Sequence, residues 1–179
     1  HRASHDPYHY RRGLLAKNPR LMATLEQVAT EARWGRTLPS GRGLGIACVE
    51  GWGSFCAQVA EGTVSASGVQ IHRIWIAADC GVVLCPGTVE AQLQGAVADV
   101  LGMVFGGGMS FNRGAASLNN FHSYPILRFP QMPEVSVSLV TSEQAPGGVG
   151  ELGVPCVLAA VSNAMLAAGG QRAQLLTRL

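Results

Sequence analysis

With 179 residues, 47% of them hydrophobic and 13% charged, the chain is long enough to bury one sizeable core and too apolar to stay disordered. The formal net charge is +2, and the thirteen basic residues, all arginine but Lys17, are scattered from Arg2 to Arg178; this excludes the basic stripe of a nucleic-acid-binding surface. The five cysteines contain no C-x-x-C pair, so neither a zinc site nor a disulfide framework is indicated, and buried free thiols are expected.

The chain opens at His1 as though cut from something longer, without the basic and apolar regions of a leader segment. Residues 1 to 17 are polar and rich in His and Arg, and read as a loose arm or the remnant of an earlier helix. A first helix is predicted from Asn18 as N-cap and Pro19 at the first helical position, with Leu21, Leu25, Val28 and Ala32 at helical spacing up to a stop at Gly35. The turn chemistry of Gly35 to Gly45, with Pro39 and Ser40, is a linker candidate, dividing an arm and helix over 1–40 from a main domain over 41–179.

Three strands are predicted at Gly45 to Val49, Phe55 to Val64 and Val69 to Ile76. In the third, alternation puts Val69, Ile71, Arg73 and Trp75 on one face and Gln70, His72, Ile74 and Ile76 on the other, which suggests a sheet covered on at least one side. A helix follows with Thr88 as N-cap and Val89, Leu93, Val97, Val100 and Val104 on one face, ending at the glycines 106 to 108. The best candidate for a membrane span, Val97 to Met109, carries Asp99 and four glycines and falls short of the roughly 20 apolar residues required, so no transmembrane segment is expected. After an irregular stretch from Ser110 to Pro133, a strand over Glu134 to Val140 points Val135, Val137 and Leu139 inward, and a last helix runs from Pro155 to Ala168. The layout is α+β.

The loop between that strand and that helix holds the main candidate site. Gly147, Gly148, Gly150 and Gly153 expose backbone amides beside a helix N-terminus, a favourable place for an anionic group, and Glu151 stands among them. The same pattern is also an ordinary tight turn, and a glutamate near a helix start is also ordinary electrostatics. A P-loop is excluded by the missing Lys-Ser/Thr, and a dinucleotide fingerprint by the element order.

The string Gly147 to Pro155, followed by Ala159 to Ala164 and Ala167 to Arg172, resembles the C-terminal motif of molybdenum hydroxylase large subunits, the xanthine dehydrogenase and aldehyde oxidase superfamily. Gly41 to Ala47, Ile71 to Gly81, Pro86 to Gly95 and Asn120 to Arg128 are similar, in the right order, to the isoquinoline 1-oxidoreductase beta-subunit branch of that family, and the match runs from about Asp6 to the end. Cys85 departs from the branch, standing where many relatives have Asn, as does Cys156, where proline is common.

The resemblance implies a mixed or antiparallel sheet with packed helices that binds molybdenum-molybdopterin, in its cytosine dinucleotide form, with no direct protein ligand to the metal. It implies Glu151 as catalytic base and Gln92, Gly95, Ala96, Gly147, Gly148, Val149 and Gly150 as cofactor-binding residues. It further implies water-derived hydroxylation of an N-heterocyclic aromatic substrate, or oxidation of an aldehyde as the alternative. Electrons would pass to 2Fe-2S clusters on a small partner subunit, with a cytochrome c as a further acceptor. The upstream part of the large subunit is a required partner, since family members are several times this length, and the compartment stays open between cytoplasm and periplasm. A non-catalytic assembly module is the rival from another class.

His122 and Tyr124 read equally as substrate-channel lining and as packing between prolines. His72 reads as a packed or surface side chain, Asp79 as a turn former and Arg172 as a cap of helix carbonyls.

Overall fold

The polar N-terminal stretch is helical because Asp6 caps it. In a computed structural model, which describes residues 4–169 apart from 67, 107, 108 and 125, the Asp6 carboxylate accepts from the backbone N–H of Tyr8 and His9 and opens helix α1 (Pro7–Leu14). Asp6 also accepts from Trp34 Nε1 at 3.0 Å, which ties α1 to the exit of helix α2 (Pro19–Glu31). Helix α2 starts as its sequence requires: Asn18 accepts from Leu21 N, Pro19 takes the first turn, and Leu21, Leu25 and Val28 form the buried face.

Strands β1 (Arg42–Gly51), β2 (Ser54–Ser65) and β3 (Gly68–Asp79) form an antiparallel meander. Helix α3 (Pro86–Gly106) crosses over, β4 (Phe111–Asn112) and β5 (Ala115–Ala116) make a separate two-stranded ribbon, and β6 (Glu134–Leu139) returns parallel to β3. The sheet order is β1-β2-β3-β6, and helix α4 (Val154–Ala167) closes the described chain. The α+β expectation, with a mixed sheet and packed helices, holds.

Both faces of the sheet are covered. Ile74, Ile76, Cys56 and Ala60 meet Leu93, Val97 and Leu101 of α3 and Val157, Ala160 and Val161 of α4. On the reverse face, Ile46, Val59, Trp75 and Ala77 meet Leu25 and Val28 of α2. Val135, Val137 and Leu139 of β6 face the first of these layers, as their alternation predicts.

Three local expectations need correction. Ile71 does not share a face with Trp75 but packs with Ile74 and Ile76, because the register of β2 against β3 shifts between Glu61 and Gly62. Glu61 pairs with Arg73 and Gly62 with Ile71, so His72 is the extra residue of a β-bulge and reverses the parity of the strand. Helix α3 starts at Pro86, not after Thr88, whose N–H bonds Cys85 O at 3.1 Å: proline at the first helical position recruits the preceding turn. Finally, Cys56, Cys80 and Cys156 are buried and Cys48 half-buried as free thiols, but Cys85 is exposed at the entrance to α3. Residues 107, 108 and 170, and Arg172, lie outside the described residues.

Helix α4 lies against bare backbone of β1. A Cβ built on Gly45 would stand 2.1 Å from Ala160 O and Ala164 N, and one on Gly43 2.3 Å from Ala164 O, so only glycine permits this approach. Gly45→Ala is therefore expected to cost roughly 1–3 kcal/mol as the helix is pushed off the strand, read as a lower urea midpoint with an unchanged slope.

Candidate functional site

The candidate residues gather at one end of the sheet, where β1 turns into β2, β3 runs out at Asp79 and the loop after β6 passes between them. That loop is fixed by backbone bonds to both neighbours. Val140 N bonds Ala78 O at 2.8 Å, Val82 N bonds Gln144 O at 2.9 Å, Gly147 N bonds Cys80 O at 2.9 Å, and Gly148 N bonds Trp52 O at 2.8 Å.

Two of the glycines are needed for that proximity. A Cβ on Gly147 would stand 2.2 Å from Ser54 Oγ, and one on Gly148 would stand 2.9 Å from Trp52 Cβ. Trp52 itself has positive φ at 55° and is exposed, forming the rim of the turn. Val149 packs partly into the core, and Leu152 is fully buried there and anchors the loop from below.

Glu151 is exposed between these anchors, in the tight turn that leads into α4. Leu152 N bonds Val149 O at 3.3 Å and Val154 N bonds Glu151 O at 3.2 Å, so the backbone on either side of it is held. The N-terminus of α4, capped by Gly153 with no side-chain cap bond, favours negative charge here. Gln92 reaches the same loop from α3 and donates from Nε2 to Gly150 O at 3.0 Å.

The structure thus brings Gln92, Gly147, Gly148, Val149, Gly150 and Glu151 together. Gly95 lies on the exposed face of α3, while Ala96, one residue on, is buried where a Cβ on Gly153 would meet its Cβ at 2.9 Å. His122 and Tyr124 lie on and just after a short 3-10 turn (Phe121–Ser123); among the described residues neither makes a hydrogen bond or ring contact with the glycine loop. His72 is at the opposite end of β3, 2.6 Å from Thr63 Oγ1, beside a cleft of about 500 Å³ that it lines with Phe105, Leu127 and Met132. Burial lowers its pKa, and Arg42 adds to the effect.

The ion pair of Asp79 with Arg20 and the buried amide of Gln58 were not apparent from the sequence. Asp79 does form the turn, accepting from Gly81 N at 3.0 Å, but it is also buried in a two-bond ion pair with Arg20 of α2, at 2.7 and 2.6 Å. Those hydrogen bonds from Arg20 hold its carboxyl below the usual carboxylate range. Arg20 also stacks over Phe55 at 4.4 Å and reaches Gly53 O, so one guanidinium joins the β1–β2 turn to the end of β3. Beneath the loop, Gln58 of β2 is fully buried and donates from Nε2 to Gly153 O at 3.0 Å. The signal for Gln58 was one amide inside the apolar run Phe55 to Ala60.

Among the described residues no group of three or more His, Cys, Asp or Glu could hold a metal ion, and no helix is long and apolar enough to cross a membrane.

Residues 48–133 match the molybdopterin cofactor-binding domain family. The chain is 33% identical over 175 residues, 95% of its length, to isoquinoline 1-oxidoreductase subunit beta of Brevundimonas diminuta, of which it covers 22%. It is 30% identical over 161 residues, 86% of its length, to the membrane-bound aldehyde dehydrogenase (pyrroloquinoline-quinone) of Gluconacetobacter polyoxogenes, covering 21% of that protein. The chain therefore spans about a fifth of the length of these curated relatives. Its fold is similar to that of quinoline 2-oxidoreductase from Pseudomonas putida 86, with a TM-score of 0.60 and 20% identity over 64% of this chain and 16% of that one. The matched span takes in strands β2 and β3 and helix α3, with the glycine loop and α4 packed at its edge, and over that span the chain is similar to the molybdopterin cofactor-binding domain family.

Proposed function

We propose that the chain forms the Glu151-bearing wall of a molybdenum hydroxylase active site, oxidising an N-heterocyclic aromatic substrate with oxygen taken from water. The observation that carries this reading is the joining of Gln92 to the glycine loop, which sets an exposed carboxylate on a held backbone beside an amide and a helix N-terminus.

The residues present fit a molybdopterin-type group. Among the described residues a Cβ built on Gly95 or Gly150, on either side of Gln92, meets nothing within 4 Å, so there is open space beside Gln92 at these two positions. Gln92 Oε1 accepts no hydrogen bond among the described residues and is free to take one from a ligand edge, while Nε2 is committed to Gly150 O. Gln92, Gly95 and the loop 147 to 150 would hold the group, in its cytosine dinucleotide form, and Ala96 supports them from behind. When bound, the group supplies the redox centre that takes two electrons from the substrate.

The chain's own part is proton transfer and placement. The Glu151 carboxylate accepts the proton of the water-derived oxygen as that oxygen attacks an electron-poor carbon, a step that requires hydrogen-bond reach and a fixed position. The backbone bonds at Val149 and Glu151 supply the second. The upstream part of the large subunit would complete the substrate pocket, 2Fe-2S clusters on a small subunit would receive the electrons, and a cytochrome c would be a later acceptor. Oxidation of an aldehyde is the second reading, favoured by the relative from Gluconacetobacter polyoxogenes; the name of that relative carries pyrroloquinoline-quinone, so cofactor analysis is part of the test.

The test is molybdenum, pterin and quinone content of the chain co-purified with its upstream and iron-sulfur partners, together with dye-linked oxidation of isoquinoline and of an aldehyde. Molybdenum with pterin and turnover of isoquinoline support the first reading, and turnover of the aldehyde alone supports the second. An assembly without molybdenum leaves the non-catalytic module. Gln92→Ala is expected to shift thermal stability by less than about 1 kcal/mol, because the bond it removes is exposed, and to lower the molybdenum retained through gel filtration.

A further inference from the structure

We infer that Gln58 is a positioning residue for Glu151, its buried amide holding the Gly153 carbonyl from beneath and so fixing where the carboxylate stands. The inference rests on the reading of Glu151 as the base.

Gln58 is fully buried on β2, on the sheet face that carries Cys56 and Ala60. Its Nε2 donates to Gly153 O at 3.0 Å, two residues beyond Glu151. One residue before Glu151, Gly150 O is held by Gln92 at 3.0 Å. The carboxylate is thus carried by a short segment whose carbonyls on either side are each tethered by a glutamine amide, one from the sheet below and one from α3.

The amide is not there to rescue a stranded carbonyl. Gly153 O already accepts from Val157 N at 3.3 Å in the first turn of α4, so the bond from Gln58 is additional. Nor does it make the core cheaper: among the described residues Gln58 Oε1 has no hydrogen-bond partner, and neither does the buried Ser54 Oγ under the other foot of the loop at Gly147. An apolar side chain of the same shape would fill this place without the desolvation cost of an unpaired oxygen. What the glutamine adds is direction at the segment next to Glu151, and displacement of a reacting group by about 1 Å can cost on the order of a hundredfold in rate.

The test compares Gln58→Met, which keeps the shape and loses the donor, with Gln58→Glu, whose buried carboxyl has a raised pKa and donates to the same carbonyl while protonated. Molybdenum content, KM, kcat and the hydrogen exchange of amides 151 to 154 are all measured in the enzyme assembled with its upstream and iron-sulfur partners. The expected result for Gln58→Met is molybdenum content and KM within about twofold, kcat lower by roughly tenfold to a hundredfold, and faster exchange confined to 151 to 154. Gln58→Glu is expected to restore most of kcat at neutral pH and to lose it as pH rises through its carboxyl pKa, an alkaline loss absent from the wild type. The inference is overturned if Gln58→Met keeps kcat within twofold, or if exchange rises across β1 to β3 and Gln58→Glu restores nothing. Glu151→Gln in the same series separates the two claims. An inert Glu151→Gln beside a normal Gln58→Met sinks the positioning role alone, whereas an active Glu151→Gln sinks the base reading.

Discussion

Glu151→Gln is expected to leave the fold and the molybdenum content of the assembled enzyme unchanged while lowering kcat by roughly 10²–10⁴, the usual contribution of a positioned general base. The substitution keeps the shape of the side chain, and Glu151 is exposed, so no packing is lost. The anchors of the loop are backbone bonds at Gly147, Gly148 and Leu152 and the amides of Gln58 and Gln92, none of which uses the carboxylate. Stopped-flow reduction by substrate is the direct measurement, because it isolates the chemical step from electron delivery to the partner. Equal drops in kcat and kcat/KM would mean that the lost interaction is made only in the transition state. A mutant as fast as the wild type would leave the chain as a wall of the site with no acid-base part in it.

The second large effect is on stability. Asp79→Ala is expected to destabilise the fold by about 3–5 kcal/mol, because it leaves the Arg20 guanidinium without its partner and strands the Gly81 N–H at a buried turn. Asp79→Asn should cost less, since it keeps an acceptor for Gly81 and for one arm of Arg20. The folded-state pKa of Asp79 is depressed, so its charge contributes stability fully above the unfolded value of about 3.9 and loses that contribution as pH falls through the lower, folded value. The gap in urea midpoint between wild type and Asp79→Asn is therefore expected to be constant near neutrality and to close below about pH 4. A gap that persisted undiminished into that acid range would mean that the ion pair is not the source of the stabilisation.

Arg20 also explains why the N-terminal helices matter to the site. It sits on α2, which covers the face of the sheet opposite α3 and α4, yet it bonds Asp79 at the end of β3 and reaches Gly53 in the β1–β2 turn. Loss of that pair would loosen the two backbone segments that receive Gly147 and Gly148.

Much of the fold was legible because its causes are local. Asn18 and Pro19 start α2, the spacing of Leu93, Val97, Val100 and Val104 gives α3 its buried face, and Val135, Val137 and Leu139 declare β6. The glycine loop and Glu151 were legible for the same reason, as a string whose residue types are contiguous. Alternation failed at His72, since a bulge depends on the register of the neighbouring strand and leaves no mark in its own residues. Cys85 was misplaced because burial habits describe an average residue and not one at the exposed entrance of a helix. By itself, then, the sequence determined the element types, the amphipathic faces and the candidate base. Only the tertiary structure decided that Arg20 would meet Asp79 across 59 positions, that Gln58 would meet Gly153 across 95, and that Gln92 would meet Gly150 across 58. Contacts at such separations are set by strand order and helix docking, which are collective properties of the packed chain and have no local pattern from which to read them.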